Sequence, residues 1–158
     1  MPTFSFSFIV NAPLEVVAAF HQDTQVLKQL SPFPIIAQIH EYEPLADESE
    51  AKFTLWFGPV PVRWHAVHSD VGLNGFTDTQ VSGPLKYWRH VHRFNVVDED
   101  TTRVEEHITF EHDGGLRGLF SRLLFNKPGL YALFTARKII TRRAVARSVA
   151  VQKADKPR

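Results

Sequence analysis

Between Ile35 and His112 no segment carries a helical period, and six strand-like runs follow one another with only short turns between them. The runs are Ile35 to Tyr42, Ala51 to Phe57, Val62 to Asp70, Gly75 to Ser82, Leu85 to Val97 and Thr102 to His112. Their separators, among them Gly58-Pro59, Gly83-Pro84 and Asp98 to Asp100, are too short for parallel crossovers, which need about a dozen residues or more. An antiparallel meander is the remaining arrangement.

A seventh strand precedes it. Phe4, Phe6, Phe8 and Val10 alternate with Thr3, Ser5, Ser7 and Ile9, the two-residue period of a half-buried strand. Asn11-Ala12-Pro13 then opens a helix, with Asn11 read as its cap and Glu15 near the positive end of the dipole. Val16, Val17 and Phe20, then Val26, Leu27 and Leu30 after a break near Asp23, give two short helices that end at Ser31-Pro32-Phe33-Pro34.

After Gly114-Gly115, the spacing of Leu116, Leu119, Phe120, Leu123 and Leu124 predicts a short helix. It is read as packed, with a lid or a membrane-touching patch as the alternatives. From Asn126 to about Val151, Leu130, Leu133, Phe134, Ile140, Ala144 and Val145 share one face of a long helix. Arg142, Arg143 and Arg147 fall mainly on the other, Asn126 is a cap and Pro128 sits in the first turn. The predicted fold is α+β: a seven-stranded curved antiparallel sheet gripping a long C-terminal helix, with two short helices after the first strand. Residues 1–152 read as one domain and 153–158 as a loose basic tail.

The absence of cysteine excludes disulfides and thiolate chemistry, and a formal charge of +1 gives no reason to expect nucleic acid. No secretory leader or membrane span is legible, so a cytoplasmic protein is expected. No phosphate-binding glycine loop, nucleophile elbow or HExxH motif is present.

Alternation in the Gly83-Pro84 strand sets Trp88, His90, His92 and Phe94 on one face. In the next strand Glu106 joins Val104, Ile108 and Phe110 on an otherwise apolar face. Arg137 follows Phe134 by three residues and edges toward the buried side of the long helix. His90, His92, Glu106 and Arg137 are therefore the candidate polar cluster, and the candidate catalytic residues if there is a reaction. Glu106 needs Arg137 or a histidine as partner, because an unpaired buried charge is costly. The plain structural reading, in which Glu106 and Arg137 only tie helix to sheet, stands beside it. The same spacing would suit a metal held by His90, His92 and Glu106, but two histidines two apart are a weak signal, and neither metal nor cofactor is expected. His21, His40, His65, His68, His107 and His112 receive no role.

The run Phe76-Thr77-Asp78-Thr79-Gln80-Val81-Ser82-Gly83-Pro84-Leu85-Lys86-Tyr87-Trp88-Arg89-His90-Val91-His92-Arg93-Phe94 resembles the START-like or SRPBCC superfamily, which includes polyketide cyclases, dehydrases and lipid-transport proteins. Thr102 to Ile108 and Leu133 to Lys138 continue the likeness. The resemblance implies a helix-grip fold with a cavity between sheet and final helix. Phe6, Phe8, Phe53, Leu55, Phe57, Trp64, Trp88, Phe94, Ile108 and Phe134 are then its candidate walls, and His90, His92, Glu106 and Arg137 its polar contacts. The expected partner is a small hydrophobic molecule: a lipid, a polyketide-like aromatic or an isoprenoid. A cyclase or dehydratase using the same polar residues is the alternative, and an interaction module with transient membrane contact is the third. The sequence leaves the oligomeric state open.

Overall fold

The computed structural model describes residues 1–154. Its sheet contains β1 (Thr3–Val10), β2 (Ile35–Tyr42), β3 (Glu50–Phe57), β4 (Val60–Gly72), β5 (Gly75–Ser82), β6 (Tyr87–Asp98) and β7 (Thr101–Glu111). Helices α1 (Leu14–Gln22) and α2 (Val26–Gln29) lie between β1 and β2, and α3 (Gly115–Leu124) and α4 (Lys127–Ala154) follow β7. The spatial order is β1-β7-β6-β5-β4-β3-β2, antiparallel throughout. Each strand from β2 to β7 thus pairs with its chain neighbour, as the short turns require, while β1 joins the far edge beside β7.

Inward and outward faces follow the alternation read from sequence. Trp88, His90, His92 and Phe94 on β6 are buried, as are Val104, Glu106, Ile108 and Phe110 on β7. On α4, Leu130, Phe134 and Val145 are buried, with Leu133, Ile140 and Ala144 half-buried and Arg142, Arg143 and Arg147 exposed. Thr141 is buried among them. Asn126 Oδ1 accepts the Gly129 amide at 2.8 Å, so it caps α4 as expected.

Three local expectations are corrected. Asn11 does not cap α1: the helix starts at Leu14, and the extended Pro13 occupies the capping position, its carbonyl accepting the Val16 and Val17 amides at 3.1 and 3.2 Å. Asn11 lies two residues too early to reach those donors. Lys153 is helical rather than loose, because α4 continues to Ala154; residues 155–158 lie outside the described residues. The third correction concerns α3, whose apolar stripe turns outward, with Leu116, Leu119 and Leu123 86%, 66% and 72% exposed. Its buried positions are Gly118 and Ser121, small enough to bring the helix backbone against the short segment that leaves β7 at His112 and Asp113.

Two aromatic-rich clusters make up the core. The first joins Phe4, Trp64, Trp88, Ile108, Phe110 and Phe125 to Leu130 and Phe134 of α4. The second joins Phe8, Val10, Phe76, Phe94 and Val104 to Val17 of α1 and Val145 of α4. Between them runs a polar seam. Phe134 of the first stands edge-on to His90 at 5.4 Å, and Phe76 of the second stacks on His92 at 4.2 Å.

Candidate functional site

The seam spans four neighbouring strands. Register places His68 of β4 opposite Asp78 of β5, Asp78 opposite His90 of β6, and His92 of β6 opposite Glu106 of β7. Because side chains on one sheet face lean toward direct and diagonal cross-strand neighbours, these five meet. His90 Nε2 lies 2.8 Å from Glu106 Oε2, His92 Nε2 3.0 Å from Asp78 Oδ2, and His68 Nε2 3.1 Å from Asp78 Oδ1. His92 Nδ1 lies 2.8 Å from the same Glu106 oxygen but off the direction a hydrogen bond needs, so that contact is one of charge. At the far end His68 Nδ1 faces Ser49, 2.9 Å from its hydroxyl and 3.1 Å from its carbonyl.

Charge is settled within the seam. Burial favours neutral His92, but the Glu106 and Asp78 carboxylates on its two sides outweigh that and raise its pKa to about 9. Burial likewise works against ionised Glu106, and His92 and His90 hold it well below the usual carboxylate range. Asp78, opposed by burial too, is held low by His68 and His92. His90 goes the other way: burial and the neighbouring His92 keep it neutral. The Glu106 partnership expected from sequence is thus made with the histidines. Arg137 instead donates Nε to the Leu30 carbonyl at 3.0 Å and lays its guanidinium 5.1 Å from the Phe134 ring centre. That ties α4 to the end of α2.

A cavity of about 110 Å³ opens between α4 and the sheet, with the seam at one end. Its polar lining is Tyr42, His68, Asp78, His90 and Arg137. Burial, then Asp78, pushes the Tyr42 phenol up, so its hydroxyl stays protonated. Apolar walls come from Phe53, Leu55, Trp64, Trp88, Phe125 and Phe134, with Leu27, Leu130 and Leu133 around them. Trp64 and Trp88 meet edge-to-face at 5.4 Å, and Phe125 touches both. A second void of about 70 Å³ lies beyond Leu55, Phe125, Leu130 and Leu133, reaching Ile35 and Phe57.

The structure sorts the sequence-derived candidates by place. Phe53, Leu55, Trp64, Trp88, His90, Phe134 and Arg137 line the cavity, and Phe57 lines the smaller void. His92 and Glu106 stand behind His90 without reaching the lining. Phe8 and Phe94 belong to the second cluster, Ile108 is packed in the first, and Phe6 lies against Tyr131 and Phe134. His68, Asp78 and Tyr42 went unassigned from sequence. The alternation that singled out β6 finds two of them: His68 is in phase with Val62, Trp64 and Ala66, and Asp78 with Phe76.

Comparison with solved structures matches this arrangement over nearly its whole length. The aromatase/cyclase Zhui from Streptomyces sp. R1128 superposes with a TM-score of 0.71 at 13% identity, covering 94% of this chain and 95% of that one. The helix-grip fold is shared. Protein CV1439 from Chromobacterium violaceum gives a TM-score of 0.74 at 11% identity over 91% of this chain and 97% of its own. Ara h 8.0201 gives 0.62 at 14% identity over 89% and 97%. These likenesses are ones of architecture, with an antiparallel sheet gripping a long C-terminal helix in common. By sequence, no family model and no curated protein matches it.

Proposed function

We propose that this helix-grip protein binds a compact, largely apolar molecule carrying one carbonyl or hydroxyl oxygen. The observation that carries the reading is a cavity with aromatic walls and a single polar end. Its size sets the class of guest: an engineered apolar cavity of about 150 Å³ accepts benzene, so about 110 Å³ is near the scale of one ring. Drug-sized ligands occupy roughly 300 Å³ or more, so a multi-ring polyketide or a lipid chain requires the cavity to join the neighbouring void. At the polar end, Arg137 and the Tyr42 hydroxyl offer donors, and neutral His90, its Nε2 turned to Glu106, offers Nδ1 as an acceptor. The same His90 atom is the candidate base if the bound molecule is also transformed, as in a cyclase or dehydratase.

The test is Trp fluorescence and native mass spectrometry against a panel of phenols, aryl ketones and the matching oxygen-free arenes of one, two and three rings. One-ring members are expected to bind and to quench emission from Trp64 and Trp88, and Arg137→Leu to weaken the oxygen-bearing members selectively. Absence of binding across the panel, or equal binding by Arg137→Leu, overturns the reading. Turnover of a bound member that disappears in His90→Gln while binding persists identifies the enzyme alternative.

The outward face of α3 favours a second reading, docking on an anionic bilayer. Leu116, Leu119 and Leu123 project beside Arg117, Arg122 and Lys127, and no acid occurs from Gly114 to Ala154. A second copy docked symmetrically would set these cations against each other, whereas acidic headgroups complement them. No helix among the described residues is long and apolar enough to cross a membrane, so the contact is peripheral. Flotation with phosphatidylcholine vesicles, with and without phosphatidylglycerol, checks it. Binding is expected only with the anionic lipid and is lost in Leu119→Ser/Leu123→Ser. Equal binding to neutral vesicles, or a dimer that this variant dissociates, overturns it.

A further inference from the structure

The seam contains more than a hydrogen-bonded tie. Asp78, His90 and His92 each present a donor atom within 4.8 Å of the other two, and both histidines are buried. We propose that these three side chains bind one divalent transition-metal ion at the polar end of the cavity. The site is inferred from the donor geometry and stands whether or not an aromatic guest is the cargo.

Four observations support it. His92 Nε2 and Asp78 Oδ2 already lie 3.0 Å apart, close to the separation of about 3.4 Å that two ligands of a tetrahedral zinc ion adopt. His90 has its Nε2 on Glu106, and its Nδ1 makes no hydrogen bond among the described residues although the ring is only 4% exposed. A cavity-lining histidine with one ring nitrogen free, beside a second imidazole and a carboxylate, is the kind of donor a metal satisfies. The surroundings supply what such ligands need: Glu106 Oε2 lies 2.8 Å from the remaining nitrogen of each histidine, and His68 holds the other oxygen of Asp78. A carboxylate hydrogen-bonded behind a metal-binding histidine fixes its tautomer and raises its basicity, which Glu106 does for His90, while its charge faces His92.

Donor chemistry narrows the ion. Two imidazole nitrogens and one carboxylate oxygen suit zinc or ferrous iron, and calcium and magnesium poorly. Closing donors that are at most 4.8 Å apart to about 3.4 Å asks for side-chain adjustments of about an ångström. As the ion enters, the proton between His92 Nε2 and Asp78 Oδ2 leaves to solvent. Because Asp78 and His90 line the cavity, the fourth position faces it, open to water or to the oxygen of a guest.

Chelator-stripped protein titrated with Co²⁺, followed by visible d–d absorption, and with Zn²⁺, followed by thermal unfolding, tests the assignment without any organic guest. One ion per chain is expected, with a raised unfolding temperature. Asp78→Asn and His90→Ala are expected to weaken binding roughly a hundredfold or more, and Glu106→Gln, which removes a positioning group, about 10- to 100-fold. His107→Gln, on the outer face of β7, should change nothing. Folding of each variant is checked by circular dichroism. No Co²⁺ bands and no Zn²⁺-dependent shift in the wild type overturn the proposal. Binding that survives Asp78→Asn and His90→Ala, or is lost only with His107→Gln, overturns it as well. Either result leaves guest binding at the aromatic walls to be judged by fluorescence.

Discussion

His21 shows how burial of one titratable ring writes a pH dependence into the whole fold. Its Nδ1 donates to the Val17 carbonyl at 2.8 Å, and Phe20 and Phe94 flank the ring. Burial lowers its pKa to about 4; Glu106 opposes the shift, and His92 and Arg137 add to it. A folded-state pKa below the unfolded value of about 6.5 means the native protein favours the neutral ring. The resulting stability is complete above pH 6.5 and drains away as pH falls toward 4. Over that window wild-type protein should lose on the order of 3 kcal/mol more than His21→Gln in urea unfolding. Parallel pH curves for the two proteins would remove His21 from the account. The seam supports a second prediction. Glu106→Ala leaves two histidines and Asp78 with a broken network and should cost about 3–5 kcal/mol, read from the urea midpoint. At this scale the sequence disclosed His90, His92 and Glu106, because each is a polar interruption of a regular apolar face. Partner choice was not legible: whether Glu106 meets Arg137 or the histidines depends on strand register, which pairs Glu106 with His92 across β6 and β7.

Helix α3 inverts the usual rule for an amphipathic segment. Spacing of its leucines marked a helix correctly, yet spacing cannot say which side faces the protein, and here close approach decides it. A Cβ added at Gly118 would lie 1.7 Å from the Asp113 carbonyl oxygen, so the helix backbone sits where only glycine fits. Ser121, also buried, donates to the Gly118 carbonyl and meets His112 at 2.8 Å. Gly118→Ala should therefore destabilise by about 1–3 kcal/mol despite the roughly 1 kcal/mol that alanine gains in helix propensity. Limited proteolysis should then open the chain near residues 113–126. On the opposite face Leu119→Ser should leave stability within about 0.5 kcal/mol. A large loss there would mean that the stripe is packed after all. The strands carry the opposite lesson: two-residue alternation with one buried face fixes orientation along with existence, so β6 and β7 were legible down to individual side chains.

Across the whole molecule, α4 is packed along its C-terminal half and borders the cavity near its N-terminal end. Toward its C-terminal half Val145 packs with Phe8 and Val10, and Arg142 Nε reaches the Ile9 carbonyl at 2.8 Å. Toward its N-terminus Leu130 and Phe134 join the tryptophan cluster, and Phe125, just beyond α3, stands between the cavity and the smaller void. The space available to a guest is therefore controlled from the α3 end, where Phe125 forms the partition together with Leu55, Leu130 and Leu133. Phe125 touches Phe57, Trp64 and Trp88 with ring centres 5.7 to 6.2 Å away, so removing it forfeits a well-packed aromatic contact. Phe125→Ala should cost about 3–5 kcal/mol, since the cavity it leaves merges with two voids already present. The same change should shift preference in the fluorescence panel from one-ring to two-ring guests. A variant that loses stability while keeping its one-ring preference would place the size limit elsewhere, at the fixed pair Trp64 and Trp88 of the sheet.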